Sequence, residues 1–171
     1  MISNAIIRPA TAEDDLSGLW RKVYEADHRP LLPSGADVPF EPRGDAFAAF
    51  VEGDIAGFCY VDRDWLDEVW VAKEWQGRGI GTALIRYAED KMRCGGVGEA
   101  SLSVFSGNTR AIGLYRRLGW AEFRSFTSSA NGLVFLRMTV RRQNIWRNSR
   151  RRLAEYGPRL VVDVMRRACG V

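Results

Sequence analysis

Val69–Leu84 reads VWVAKEWQGRGIGTAL. An apolar, β-branched and aromatic run passes through a short charged link into glycines at every second position, 77, 79 and 81. Beyond them Gly81, Leu84, Ile85, Ala88 and Met92 fall at helical spacing, and Gly95 and Gly96 offer an end. A strand that turns directly into a helix exposes free backbone N–H groups at the positive end of the helix dipole, a seat for phosphate or pyrophosphate. Glycine lets such a backbone approach an anion without Cβ atoms in the way. Two nucleotide motifs fail here. A Walker loop needs a Gly-Lys pair, which the chain lacks, and a dinucleotide fingerprint starting at Gly77 needs glycine where Thr82 stands. Taken alone, the triplet reads equally well as a helix entry built for tight packing.

Working outward, AIIRPATAEDD gives a strand and then a helix to about Tyr24, with Thr11 as candidate N-cap. Residues 28–44 hold four of the six prolines and two glycines, a long loop with room for a short helix. Two β-prone runs flank EGD, and WLDEVWV is a third strand after DRD. ASLSVF is a strand, Ala111, Leu114, Tyr115 and Leu118 form a helical stripe closing at Gly119, and WAEFRSF and LVFLRMTV form a last antiparallel pair around SSANG. The order β α β β β α β α β β predicts an α+β fold with a mixed, mostly antiparallel central sheet flanked by helices. It is divided as a domain over 4–140 and a basic helical extension over 141–171.

The 171 residues carry a net charge of +4 and a single histidine, His28. Residues 137–171 hold ten arginines against Glu155 and Asp163, so that end is +8 and the remainder −4. One histidine disfavours zinc hydrolase and Ser-His-Asp chemistry and leaves carboxylates, tyrosine and backbone amides. No metal site is expected. The odd, widely separated Cys59, Cys94 and Cys169 read as buried or incidental thiols. No apolar run reaches membrane-span length, and the expectation is one soluble, cytoplasmic domain.

QGRGIG fits the pattern Gln/Arg-x-x-Gly-x-Gly/Ala, and with IIRPATAEDD and NTRAIGLYRRLGW (Asn-x-x-Ala-x-x-x-Tyr-x-x-x-Gly) it resembles the GNAT superfamily of N-acetyltransferases in three places and in order. The resemblance implies acetyl-CoA as cosubstrate. Its pyrophosphate would rest on N–H groups of Gln76, Gly77, Arg78, Gly79, Ile80, Gly81 and Thr82, and its pantetheine arm would pair with the backbone of Val69, Trp70 and Val71 as with a neighbouring strand. That arm needs ASLSVF to part from WLDEVWV. Asn108, Ala111 and Tyr115 belong to the second motif, where the resemblance gives the tyrosine to the departing thiolate and Asn108 to CoA contact. Asn108 is also the natural N-cap of its helix, and Tyr115 alone reads as a core residue.

For the base, Asp67 and Glu68 stand beside the thioester on opposite faces of a regular strand. The family pattern favours Asp67, with Glu68 the adjacent alternative. His28 reads as a surface residue. The proline-rich loop and the last strand pair are expected to wall the acceptor pocket, where Trp20, Trp65 and Trp70 either line it or pack in the core. The implied activity is direct acetyl transfer to a primary amine of a small molecule or protein. The alternative is a CoA-binding regulatory module whose arginine-rich end engages nucleic acid or an acidic partner. A homodimer is compatible with either.

Overall fold

The computed structural model describes residues 5–141. Arg141, the first residue of the expected helical extension, instead ends the last strand, and the rest of that extension, 142–171, lies outside the described residues. Seven strands form one sheet: β1 (Ile6–Pro9), β2 (Asp45–Val51), β3 (Asp54–Asp62), β4 (Trp65–Val71), β5 (Glu99–Phe105), β6 (Ala121–Thr127) and β7 (Val134–Arg141). Their spatial order is β1-β2-β3-β4-β5-β7-β6. Every neighbouring pair is antiparallel except β4 and β5. Helices α1 (Leu16–Val23), α2 (Ile80–Cys94) and α3 (Thr109–Arg117) complete the α+β fold expected from the sequence.

Local chemistry sets the boundaries. EGD forms the hairpin between β2 and β3, with Glu52 and Gly53 both at positive φ, 55° and 95°, the twist that suits tight hairpins. The N-cap of α1 is Asp15 and not Thr11. Asp14 takes the Thr11 N–H at 2.7 Å and pairs with Arg8 at 2.8 Å, which spends Thr11 on the turn before the helix. The Asp15 carboxylate accepts from Gly18 N at 2.8 Å. After Val23 the helix widens into a π turn, Tyr24–His28, and a 3-10 turn, Arg29–Leu31.

The sheet has a core on each face. Leu66, Leu84, Ile85, Leu102, Tyr115 and Met138 pack under α2 and α3, whereas Leu16, Ala48 and Phe58 pack under α1 with Trp20, Phe40 and Trp70 at their edge. Cys59 is a buried free thiol, in keeping with the expectation of buried or incidental thiols, whereas Cys94 is disulfide-bonded and departs from it. No helix among the described residues is long and apolar enough to cross a membrane.

Candidate functional site

The parallel strands β4 and β5 touch only at one end. Trp65 pairs with Ser101 and Leu66 with Leu102, and beyond them the strands separate. Both walls of the gap stay supported, because β5 pairs with β7 from Glu99 to Phe105 and β4 with β3 up to Val71. The edge of β4 facing the gap therefore has no strand partner along Asp67–Val71, as the resemblance requires, although the Gln76 side chain takes Val71 O. The register also shifts: Cys59 faces Val69 and Val61 faces Leu66, so β4 spends one extra residue there. Leu66 and Val69 both pack into the α2/α3 core across this bulge. Strict alternation, the basis for putting Asp67 and Glu68 on opposite faces, does not hold at these two residues.

The bulge separates the two acids by use. Asp67 accepts the backbone N–H of Arg43 at 2.8 Å and so ties the proline-rich loop to β4. Glu68 accepts from the indole Nε1 of Trp70. Burial pushes the Glu68 carboxyl up to about 7, against the pull of the Trp70 hydrogen bond and with help from the charge of Asp67. Tyr115 reaches the same region from α3. Burial raises its phenol well above the usual range, and the charges of Glu68 and Cys59 raise it further. The Cys59 thiol is itself pushed up to about 12 by burial.

At the glycine segment Gly77 and Gly79 have φ of 73° and 90°, a left-handed backbone that side chains resist. Gly79 caps α2, and the first amide bonded within the helix is Ala83, to Gly79 O at 3.0 Å. The amides of Ile80, Gly81 and Thr82 thus stand at the open helix end. Gly81 serves packing as well, since a Cβ there would rest 3.5 Å from Val71 and Leu114. Gln76 has inward duties: its N–H bonds Lys73 O at 3.3 Å, and its side chain donates to Asp27 at 2.7 Å and to Val71 O at 3.1 Å. Arg110 of α3 donates to the same side chain, and the Arg78 guanidinium lies over the Trp75 ring at 5.1 Å. Asn108 caps α3 by accepting from Ala111 N at 3.1 Å. No group of three or more His, Cys, Asp or Glu side chains among the described residues is gathered to hold a metal.

The opposite mouth of the gap is aromatic, and most of its residues were missed from sequence. Phe40, Trp20, Tyr24 and His28 stack in succession with centroids 5.0, 4.9 and 5.7 Å apart. Trp70 meets Trp20 and Tyr24 edge-on and His28 at 5.4 Å, and His28 also approaches Phe105 of β5 at 6.3 Å. His28, expected on the surface, instead bridges the rings of β4 and β5, and burial lowers its pKa. The spacing of Trp20, Tyr24 and His28, four residues apart each time, is the signal that would have found them. Trp65 is elsewhere, under the Arg137 guanidinium at 4.9 Å near the closed end of the gap.

A family model described as Acetyltransferase (GNAT) family matches residues 12–120. The chain is 35% identical over 103 residues to streptothricin acetyltransferase of Streptomyces lavendulae, covering 57% of this chain and 47% of that protein. It is 32% identical over 87 residues to spermine/spermidine N(1)-acetyltransferase of Bacillus subtilis, covering 42% and 55%. The chain thus spans about half the length of these curated relatives. Among solved structures, yncA from Salmonella typhimurium with its cofactor acetyl-CoA superposes with a TM-score of 0.57 at 17% identity, over 81% of this chain and 94% of that one. With the family model matching well over half of the chain, and the parted strands and glycine-led helix already in place, the chain belongs to the GNAT acetyltransferase family.

Proposed function

We propose that the protein is an acetyl-CoA-dependent N-acetyltransferase that moves the acetyl group directly to a primary amine of a small molecule, with Glu68 as base and Tyr115 as hydrogen-bond donor to the leaving sulfur. The observation that carries this reading is the gap itself. Its open β4 edge has a helix N-terminus and a buried phenol on one face, with a half-buried carboxylate of β4 within electrostatic reach of that phenol. Relatives named for acetylating streptothricin and spermine support an amine acceptor.

Acyl transfer needs a neutral nucleophile, and a lysine-like ammonium with pKa about 10.4 costs about 4.6 kcal/mol to deprotonate at pH 7. A carboxylate raised from 4.5 to about 7 is the stronger proton acceptor by roughly 3 kcal/mol. Glu68 therefore replaces Asp67 as the favoured base, because Asp67 already holds the Arg43 amide and Glu68 faces Tyr115 electrostatically. The raised phenol of Tyr115 makes full proton transfer to a thiolate near 8.5 unfavourable. A hydrogen bond that strengthens as charge grows on sulfur is the role that fits. The amides of Gly77 to Thr82 would seat the pyrophosphate, with Arg78 and Arg110 adding positive charge beside them. Val69 and Trp70 would supply strand-like pairing to the pantetheine arm.

The test is CoA release from acetyl-CoA across a panel of primary amines. Turnover that requires an amine and yields the N-acetyl product supports the reading, and tight acetyl-CoA binding with no turnover on any amine would favour a binding module.

A further inference from the structure

Two arginines of β7 stand in opposite surroundings. Arg141, exposed at the strand end, donates to Glu99 at 3.0 Å. Arg137 is half-buried and has no carboxylate within ion-pair distance among the described residues. Its guanidinium lies over the Trp65 ring at 4.9 Å, Nη2 reaches only the Ser101 hydroxyl at 3.4 Å, and Nε is buried with no hydrogen-bond partner. A cation withdrawn from water without a counter-ion costs the fold stability, and an anion brought by a ligand would offset that cost.

The strand fixes which way Arg137 faces. Leu136, Met138 and Val140 pack in the α2/α3 core, and the β5–β7 register runs without a shift, so Phe135 and Arg137 lie on the opposite face. That is the face of the aromatic column, since Phe135 meets Phe105 at 6.1 Å and Phe105 in turn approaches His28. Arg137 pairs with Ser103, two residues beyond the Ser101–Trp65 pair where β4 and β5 begin to part. The acceptor side of the gap thus has a guanidinium near its closed end and Glu68 further along β4. The proline-rich loop bounds the same side, bonded to β4 through Arg43 N and Asp67 and to the β6–β7 turn through Asn131 Nδ2 and Asp37 O at 3.3 Å.

Spacing and donor count narrow the ligand. Trp65, under the guanidinium, and Glu68 are three residues apart, about 10 Å along a regular strand and less across the bulge. An α-amino acid, whose amine and carboxylate share one carbon, spans too little to reach both. Nη1 and the second N–H of Nη2 remain for a ligand and suit the two oxygens of a carboxylate. With Asp67 and Glu68 on the adjoining strand, a monoanion is favoured over a dianionic phosphate.

We infer that the acceptor is an ω-amino carboxylic acid, held by its carboxylate on Arg137 and presenting its distal amine at Glu68. The inference rests on the acetyltransferase reading and adds the substrate class and a specificity-determining residue, Arg137.

The test compares 6-aminohexanoate, its neutral amide and the α-amino acid norleucine as acceptors. Wild-type kcat/KM is expected to favour the acid over the amide by about tenfold or more, the scale of one charge-assisted pair, with norleucine poorest. In Arg137→Gln the ratio of acid to amide is expected to fall to near one through a higher KM for the acid. Arg137→Lys, which keeps the charge and loses the planar fork, is expected to lie between. Equal use of acid and amide by the wild type, norleucine used as well as the acid, or an unchanged ratio in Arg137→Gln would overturn the assignment. A role for Arg137 confined to packing on Trp65 predicts that unchanged ratio, and if Arg137→Gln does not fold, the wild-type comparison decides alone. Calorimetric titration with 6-aminohexanoate and its amide reads the site without turnover, and equal binding of the two also counts against it. Turnover of amines with no preference for the acid removes the inference and leaves the acetyltransferase reading, whereas absence of turnover on every amine defeats that reading and leaves the calorimetric comparison intact.

Discussion

Glu68 and Tyr115 divide the proton work of the proposed reaction between a half-buried and a buried side chain. A carboxyl titrating at about 7 must be ionised to act, so kcat/KM is expected to fall as pH drops below about 7 and to level above it. Glu68→Gln should lower kcat by about 10²-fold and abolish that acidic limb. Asp67→Asn keeps an oxygen for Arg43 N and should leave the limb in place, and a pH–rate profile of both variants distinguishes them. Tyr115→Phe removes a donor whose bond matters most when charge builds on sulfur. It should lower kcat by more than it raises the KM for either substrate, and a loss confined to KM would assign Tyr115 to binding.

At the scale of elements, the entry to α2 depends on one backbone conformation. Gly79 at φ 90° occupies a region that costs other residues about 1–2 kcal/mol. Gly79→Ala is therefore expected to destabilise the fold by that amount in chemical denaturation and to weaken acetyl-CoA binding. The strands, the helices and their order were legible because periodicity and turn residues are local signals. The parting of β4 from β5 was legible only through the family pattern. The bulge was not legible at all: it arises from how β3 and β4 align, and nothing in WLDEVWV marks the extra residue. For the same reason the choice between Asp67 and Glu68 could not be made from alternation. His28 was read as loop because Pro30 and Pro33 follow it, whereas the π turn carries Tyr24 and His28 into one column.

For the whole molecule, the sheet would divide the two proposed substrates. The glycine-led helix end and α3 stand on one face of the gap, and α1 with its aromatic column stands on the other. The proposed assignment lets both ligands be present together, and the one buried thiol described, Cys59, is pushed up to about 12 and is a poor candidate for carrying an acyl group. Initial-rate plots are expected to intersect, as for a ternary complex, and parallel lines would reveal an acetyl-enzyme.

The open edge of β4 has a thermodynamic side. The two halves of the sheet share only two residue pairs across the β4–β5 seam, and in the proposed complex a cosubstrate arm lying there would act as a transient eighth strand. A ligand at about 100 times its Kd adds about 2.7 kcal/mol to folding stability. Acetyl-CoA should accordingly raise Tm by several degrees in a thermal melt, with CoA giving a similar shift and a free amine much less. The supply of cosubstrate would then govern how long the folded chain survives as well as how fast it works.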